Sequence, residues 1–209
     1  MNTLESLKWR YAVKKYDAGK KISENDLETL KEAVQLSVSS MGLQPYKVLV
    51  IEDEETRKKL APVAYNQNGI TDASHVFIFA NIVNVGEKEI EEYLNNIAET
   101  RGVSRNDLKG FEDMLYGAIN GMDEQAKQSW TAKQTYIALS TLINTAAEMQ
   151  IDATPMEGFD AEGVNQVLGL DKLGLNAAVM ATVGYRHKED DFQHLKKVRK
   201  PKEKLFINI

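Results

Sequence analysis

The residues best suited to chemistry in this sequence include two basic groups, one near each end of the chain. Arg10 and Lys14 belong to the first, RYAVKKYD, and their spacing puts them on one side of the backbone whether the segment is helical or extended. A guanidinium beside an ammonium can hold a phosphate and stabilise a second negative charge that develops nearby. The pair is therefore a candidate anion site, although a solvated basic surface is the simpler alternative.

The second basic group lies in the C-terminal segment HLKKVRKPKEKLF. Residues 186–204 contain eight bases and four acids, inside a chain that is acidic overall. A frayed, solvated end is one interpretation. The closing KLFINI is apolar and strand-like, which favours a segment that docks on another surface.

A third motif is TPMEGFD, residues 154–160. Pro155 fixes the backbone, and Gly158 allows a ligand to approach closely. We expect a rigid turn whose exposed amides can donate to a flat heterocycle, with Glu157 as a nearby acceptor. An ordinary entry into the following helix is the alternative.

Composition narrows the classes of function. The chain has 209 residues and a net charge of −5, which argues against a general nucleic-acid binder. It contains no cysteine, so disulfides and thiolate chemistry are excluded, and its three histidines lack metal-ligand spacing. No signal peptide or membrane span is apparent, and we expect a soluble, cytoplasmic protein with one domain, residues 1–209.

Apolar patterning predicts the elements that must position these motifs. The runs 75–83 and 175–185 are apolar throughout, as in strands covered on both faces, and a third strand follows residue 46. Residues 87–122 are acidic and helical, which predicts a solvated excursion. The helix predicted at 123–149 becomes apolar after its first turns, which favours the core or a dimer interface.

In their order along the chain, these motifs resemble the FMN-dependent nitroreductase family, in particular the oxygen-insensitive NAD(P)H nitroreductase and dihydropteridine reductase-like branch. The shared segments are RYAVKKYD, SSMGLQPYKVLV, YNQNGITDASHVFIFA, WTAKQTYIAL, ATPMEGFD, VGYR and KKVRKP. The resemblance implies an α+β fold with a central, mainly antiparallel sheet flanked by helices. It also implies an intertwined homodimer in which a C-terminal arm, residues 195–209, wraps the partner.

The resemblance further implies one tightly bound FMN per subunit. It assigns the FMN phosphate to Arg10, Lys197 and Arg199, and the flavin N1 region to Lys14. It directs the Glu157 and Gly158 amides at N5 and O4, beside the ring contacts of Pro155 and Met156. The remaining implied cofactor contacts are Tyr11, Ala12, Ser39, Ser40, Gln44 and Asn66.

The implied substrate contacts are Lys14, Tyr65, Asn66, Gly69 and Phe111. Three positions depart from the family pattern: Ala12 replaces a frequent serine, Gly42 a frequent asparagine, and Gly69 a lysine of enteric relatives. Ser39, Ser40 and Gln44 are expected to reach the FMN of the other subunit.

The implied activity is ping-pong, two-electron reduction of nitroaromatics, quinones or related small-molecule acceptors, with NADH or NADPH as transient hydride donor. No side chain is required as a strong acid or base, and no metal is expected. The alternatives are a family flavoprotein with a specialised reaction, such as dehalogenation or flavin fragmentation, and a non-enzymatic dimeric binding protein.

Overall fold

The fold is built on a four-stranded antiparallel sheet, which a computed structural model describes together with its helices for residues 2–209. The strands are β1 (Tyr46–Ile51), β2 (His75–Ile82), β3 (Asp152–Met156) and β4 (Leu175–Gly184). Their order across the sheet is β1-β2-β4-β3. The two continuous apolar runs are the central strands, as predicted, and the α+β, mainly antiparallel fold is confirmed.

Helices cover both faces of this sheet. Along the chain they are α1 (Thr3–Trp9), α2 (Glu24–Gln35), α3 (Glu54–Val63), α4 (Gly69–Asp72), α5 (Glu87–Arg101), α6 (Lys109–Asn120), α7 (Glu124–Glu148), α8 (Ala161–Leu168) and α9 (Lys202–Leu205). Ser23 and Asp53 cap α2 and α3 through their side chains, which explains why those helices begin there.

The long helix α7 packs across one face of the sheet. Ala138, Leu142 and Ala146 are fully buried against residues of β2 and β4 such as Phe79 and Val179. The opposite side of α7 remains outside, since Ile137 is exposed. The core of one chain therefore buries only part of the apolar surface of this helix.

Residues 87–120 form a helical hairpin, with α5 and α6 joined by a short 3-10 turn at Arg105–Leu108. The predicted excursion is helical, but it is more than a solvated surface. It contains a core of its own, formed by Ile90, Leu94, Leu115 and Ile119, all fully buried. The four-residue spacing of the apolar Ile90 and Leu94 predicts this buried helix face, which a count of charged residues alone does not detect.

Strand β3 corrects the prediction of a turn at TPMEGFD. Thr154, Pro155 and Met156 belong to a strand that pairs with β4, and Pro155 lies opposite Ala181. A proline cannot donate to a sheet ladder, but β3 is an edge strand, where its missing N–H can face away from the sheet. The turn begins only at Glu157.

The C-terminal segment also differs from its prediction. Instead of a strand, residues 202–205 form the short helix α9, and Phe206 and Ile207 are exposed. A strand needs a neighbour to pair with, and this segment has none among residues 2–209 of a single chain.

Candidate active site

The strongest candidate site is a cavity of about 550 Å³ where the N-terminal and C-terminal segments meet. Seven residues of the predicted cofactor set line it: Arg10, Tyr11, Ala12, Lys14, Pro155, Lys197 and Arg199. The Lys197 ammonium donates to the Arg10 carbonyl oxygen across 187 positions of sequence. The fold thus brings together the two basic groups that the sequence keeps at opposite ends.

Three cations of the cavity, Arg10, Lys197 and Arg199, form no ion pair with a protein carboxylate among the described residues. Arg186, close by, is paired with Asp152 at 2.6 Å. Arg10, Lys197 and Arg199 have no comparable partner, since within residues 2–209 no carboxylate lies within 4.0 Å of their nitrogens. The cavity therefore carries net positive charge, which Asp152 offsets only in part by raising the pKa of Arg10.

That charge is costly for the protein on its own. Burial, and then the nearby Arg199, lower the pKa of Arg10. Burial, followed by Arg10 and Arg199, lowers the pKa of Lys197. The Arg10 Nε atom is buried without a hydrogen-bond partner among residues 2–209. An anion in the cavity would relieve both penalties, so these residues fit a phosphate group.

Lys14 lines the same cavity in a segment that bends at Lys14 and Lys15 and is neither helix nor strand, so neither predicted geometry, helical or extended, describes it. Its backbone N–H donates to the carboxylate of Asp190 at 2.7 Å, and the next N–H, of Lys15, donates to the same oxygen at 3.1 Å. The exposed Lys14 ammonium lies 5.7 Å from the centre of the Phe192 ring. Its charge is thus available to a ligand while its backbone is fixed.

A second cavity, of about 520 Å³, shares Arg10 and Pro155 with the first. Its other lining residues are largely apolar: Leu7, Leu139, Ile143, Met156 and Val179, with Tyr136, Ser140, Asn144 and Glu157. A cationic end beside an apolar end suits a ligand with a phosphate and a flat ring system.

Glu157 is oriented by a contact to helix α7. The Tyr136 hydroxyl donates to its carboxylate at 2.6 Å, and burial together with this bond raises the pKa of Tyr136 to about 12. Neither the Glu157 amide nor the Gly158 amide has an acceptor among residues 2–209. These two N–H groups remain able to bind a ligand.

The loop after α3 approaches this turn. The Gln67 side chain donates to the Gly158 carbonyl oxygen at 2.7 Å, and Tyr65 is 64% exposed beside it. Tyr65 and Asn66 both have positive φ angles, 53° and 52°. The Asn66 side chain makes no hydrogen bond among the described residues, so it is free for a ligand.

Gly69 occupies a different position from the other predicted substrate contacts. A Cβ atom there would lie 3.0 Å from the Thr182 hydroxyl and 3.3 Å from the Tyr16 ring. Both of those residues are buried. A side chain at position 69 would therefore point into the protein, and only the backbone of Gly69 can face a substrate.

Four predicted residues lie away from this cavity within one chain. The Ser40 amide donates to Gln134, and the Gln44 side chain donates to the Gln35 carbonyl at 2.9 Å. The Ser39 hydroxyl accepts from the Gln44 amide. Phe111 packs edge-on against Tyr93 in the hairpin. None of the four lines either cavity described above, and neither do the predicted residues Tyr65, Asn66, Gly69 and Gly158.

Sequence reasoning missed several residues that hold the site in place. Buried Arg57 donates to the backbone carbonyls of residues 70, 71, 73 and 74, which fixes the loop that follows Asn66. Arg186 stacks 4.1 Å from the Trp9 ring while it binds Asp152. Nothing in the local sequence marks these partners, because each contact joins distant segments.

Comparison with known proteins identifies the family. The sequence pattern of the Nitroreductase family matches residues 7–185. The chain belongs to this family, and the resemblance read from its motifs is confirmed.

Two relatives align with this chain over about nine-tenths of its length. The chain is 32% identical to the major NAD(P)H-flavin oxidoreductase of Aliivibrio fischeri, over 90% of this chain and 89% of that protein. It is 34% identical to a protein of Staphylococcus saprophyticus named as an NAD(P)H nitroreductase, over 89% of each.

Solved structures share the fold. A crystal structure of a Bacillus subtilis protein described as a nitroreductase superposes with a TM-score of 0.88 at 20% identity, covering 99% of this chain and 98% of that one. A structure from Exiguobacterium sibiricum, determined in complex with FMN, has a TM-score of 0.85 at 21% identity and covers 100% and 98%. Between residues 2 and 209, no helix is both long and apolar enough to cross a membrane.

Proposed function

We propose that this protein is an FMN-dependent NAD(P)H oxidoreductase that reduces nitroaromatics, quinones or related acceptors by two electrons in a ping-pong cycle. The observation that carries the proposal is the cavity where Arg10, Lys197 and Arg199 meet without carboxylate partners among the described residues. Family membership and the names of its relatives support the same activity.

In this proposal the three cations anchor the FMN phosphate. A phosphate supplies the negative charge that would restore the lowered pKa values of Arg10 and Lys197. Tyr11 forms part of the cavity wall. Ala12 has no hydroxyl and can contribute only its backbone.

When bound, FMN supplies an N5 position that accepts a hydride from NADH or NADPH and later gives two electrons to the acceptor. The chain contributes orientation and electrostatics. Lys14 would place a cation where negative charge gathers on reduction. Pro155 and Met156 would support the ring, and the Glu157 and Gly158 amides would donate hydrogen bonds to it. The Tyr136 hydrogen bond holds the Glu157 turn in place.

Substrate contacts belong to the open side of the same site. We assign them to Lys14, Tyr65, Asn66, the Gly69 backbone and Phe111. Two of these assignments are supported by the exposure of Tyr65 and by the Asn66 side-chain amide, which has no hydrogen-bond partner in the described part of the chain.

The proposal includes a homodimer with FMN at the interface. Ser39, Ser40 and Gln44 would reach the FMN held mainly by the other subunit. Apolar side chains exposed on one chain support this arrangement, since they would be covered in a dimer: Leu4, Leu36, Val38, Ile137, Leu205, Phe206 and Ile207.

An absorbance spectrum of the purified protein, repeated anaerobically after addition of NADH and then NADPH, tests the proposal. We expect oxidised-flavin bands that bleach with a nicotinamide and return when a nitroaromatic or quinone is added. Flavin bands that neither nicotinamide bleaches would assign the chain to another reaction within the family. Failure to bind added FMN would overturn the flavoprotein assignment itself.

A further inference from the structure

We propose that Asp190 is a positioning residue that fixes Lys14 beside the flavin and thereby raises the reduction potential of bound FMN. This inference rests on the proposed function, because it assumes that Lys14 faces the reduced ring. It concerns a residue that does not line the cavity and whose effect on the flavin would pass through Lys14.

The Asp190 carboxylate is almost fully enclosed, with 2% of the residue exposed. One oxygen accepts the backbone N–H groups of Lys14 and Lys15, at 2.7 and 3.1 Å. The other oxygen accepts the backbone N–H of Phe192 at 3.0 Å. A single carboxylate therefore joins the first basic segment to the start of the C-terminal segment.

These bonds keep Asp190 ionised despite its burial. Burial alone would raise the pKa of this carboxyl, but the amide donors of Lys15, Lys14 and Phe192 outweigh it, and the net pKa lies below the ordinary value. Charge-assisted bonds from backbone amides are among the stronger hydrogen bonds in proteins. Asp190 is thus a firm anchor at neutral pH.

Asp190 also restrains the Lys14 side chain indirectly. The Phe192 amide is held by Asp190, and the Phe192 ring lies 5.7 Å from the Lys14 ammonium, within reach of a cation–π attraction. The same carboxylate therefore controls both where the Lys14 backbone runs and what its side chain rests against.

A positioning role and a direct charge effect predict opposite results. A carboxylate close to the flavin disfavours the reduced, more negative ring, so its removal through charge alone would make the potential more positive. Loss of Lys14 from its place removes a stabilising cation and makes the potential more negative. The sign of the shift therefore separates the two roles.

The experiment measures the FMN midpoint potential of the holoprotein in the wild type, Asp190→Ala and Lys14→Ala, each at saturating FMN. Asp191→Ala is the matched control, because it removes the same charge from the adjacent, exposed position. The double variant Lys14→Ala/Asp190→Ala tests whether Asp190 acts through Lys14. Thermal unfolding of each variant verifies that the fold is retained.

We expect Asp190→Ala to shift the potential to a more negative value, by no more than Lys14→Ala does, while Asp191→Ala leaves it unchanged. In the Lys14→Ala background, Asp190→Ala should give no further negative shift. An unchanged or more positive potential in Asp190→Ala would overturn the inference. So would a double variant whose potential is more negative than that of Lys14→Ala by the whole shift seen for Asp190→Ala alone.

Should Asp190→Ala fail to fold, Asp190→Asn provides the test, because it keeps the size of the side chain and one oxygen acceptor while it removes the charge that strengthens the bonds to the Lys14 and Phe192 amides. A smaller negative shift is then expected, and no shift would contradict the inference. Wild-type protein that binds no FMN would instead be a failure of the proposed function, which the same samples reveal before any potential is measured.

Discussion

The cationic cavity and the helical hairpin handle their charges in opposite ways. In the hairpin, Arg105 contacts both Glu91 and Glu112, at 2.9 and 3.6 Å, and Tyr116 also donates to Glu91. In the cavity, Arg10 and Lys197 lie close together, and no carboxylate of the described residues lies within 4.0 Å of their side-chain nitrogens.

This difference indicates that the charges of the hairpin serve stability, whereas the charges of the cavity serve ligand binding. Paired charges over a closed apolar core give the hairpin a structure that needs no ligand. The cavity keeps positive charge partly desolvated and unpaired, which costs stability in the free protein and favours an anion. Variants of the two regions should therefore change different measured quantities.

The largest effect is expected from Leu94→Ala in the hairpin. Leu94 is fully buried, and truncating such a leucine costs about 2–5 kcal/mol in the free energy of unfolding. Urea unfolding measures this loss. Leu173→Ala, at an exposed leucine, is the control and should change stability by less than about 0.5 kcal/mol. Equal losses in the two variants would refute a closed hairpin core.

The next effect is expected from Arg10→Ala in the cavity. Losing a charged hydrogen-bond partner of the phosphate should cost about 1.5–3 kcal/mol of binding, roughly ten- to a hundredfold in the FMN dissociation constant. Quenching of FMN fluorescence on titration measures it. Arg105→Ala is the control, because it removes the same side chain from the hairpin and should leave FMN affinity unchanged. A similar loss in both would remove the contrast between the regions.

Features set by neighbouring residues could be predicted from the sequence, whereas features set by contacts between distant segments could not. Continuous apolar runs identified β2 and β4, because this signal is local. Strand β3 was missed because Pro155 is compatible with a strand only at a sheet edge, and the edge is defined by pairing with β4.

The candidate site shows the same division. The basic residues Arg10, Lys197 and Arg199 were identified from their motifs, and the fold brings them to one cavity. The supporting contacts of Asp190 and Arg57 could not be predicted, because each joins segments that are far apart in sequence or bonds to backbone atoms without sequence preference. Sequence thus gives the groups that touch a ligand more readily than those that hold them.

A smaller effect is expected where the hairpin meets the loop that contains Gly42. Gly42 has a φ of +73°, and a Cβ atom there would lie 2.2 Å from the Tyr93 hydroxyl oxygen. Gly42→Ala should therefore lose about 1–2 kcal/mol of unfolding free energy from the backbone conformation, with a further loss from displacing Tyr93.

Gly102→Ala is the matched control for that loss. Gly102 has a φ of +63°, but nothing lies within 4 Å of its added Cβ, so it should show the backbone cost alone. Adding Tyr93→Phe should recover part of the loss in Gly42→Ala and none in Gly102→Ala. Equal losses in the two alanine variants, unaffected by Tyr93→Phe, would argue against a docking contact between hairpin and loop.

The smallest effect concerns the pH dependence of FMN binding. The pKa of Lys197 is lowered in the free protein by burial and by Arg10 and Arg199. A bound phosphate favours the protonated amine and so raises that pKa again. Binding is then coupled to protonation, and affinity should fall as the pH rises through the lowered pKa, by at most about tenfold per pH unit for one proton.

Lys197→Arg isolates the contribution of Lys197 protonation to FMN affinity, because a guanidinium stays protonated over the whole pH range tested. The alkaline loss of FMN affinity should shrink in Lys197→Arg and persist in Lys200→Arg, at an exposed neighbour outside the cavity. Ionisation of the flavin is common to all variants, so the difference between them reports Lys197 alone. Parallel pH profiles in the three proteins would mean that the Lys197 ammonium does not contact the phosphate, and that Arg10 and Arg199 hold it without help.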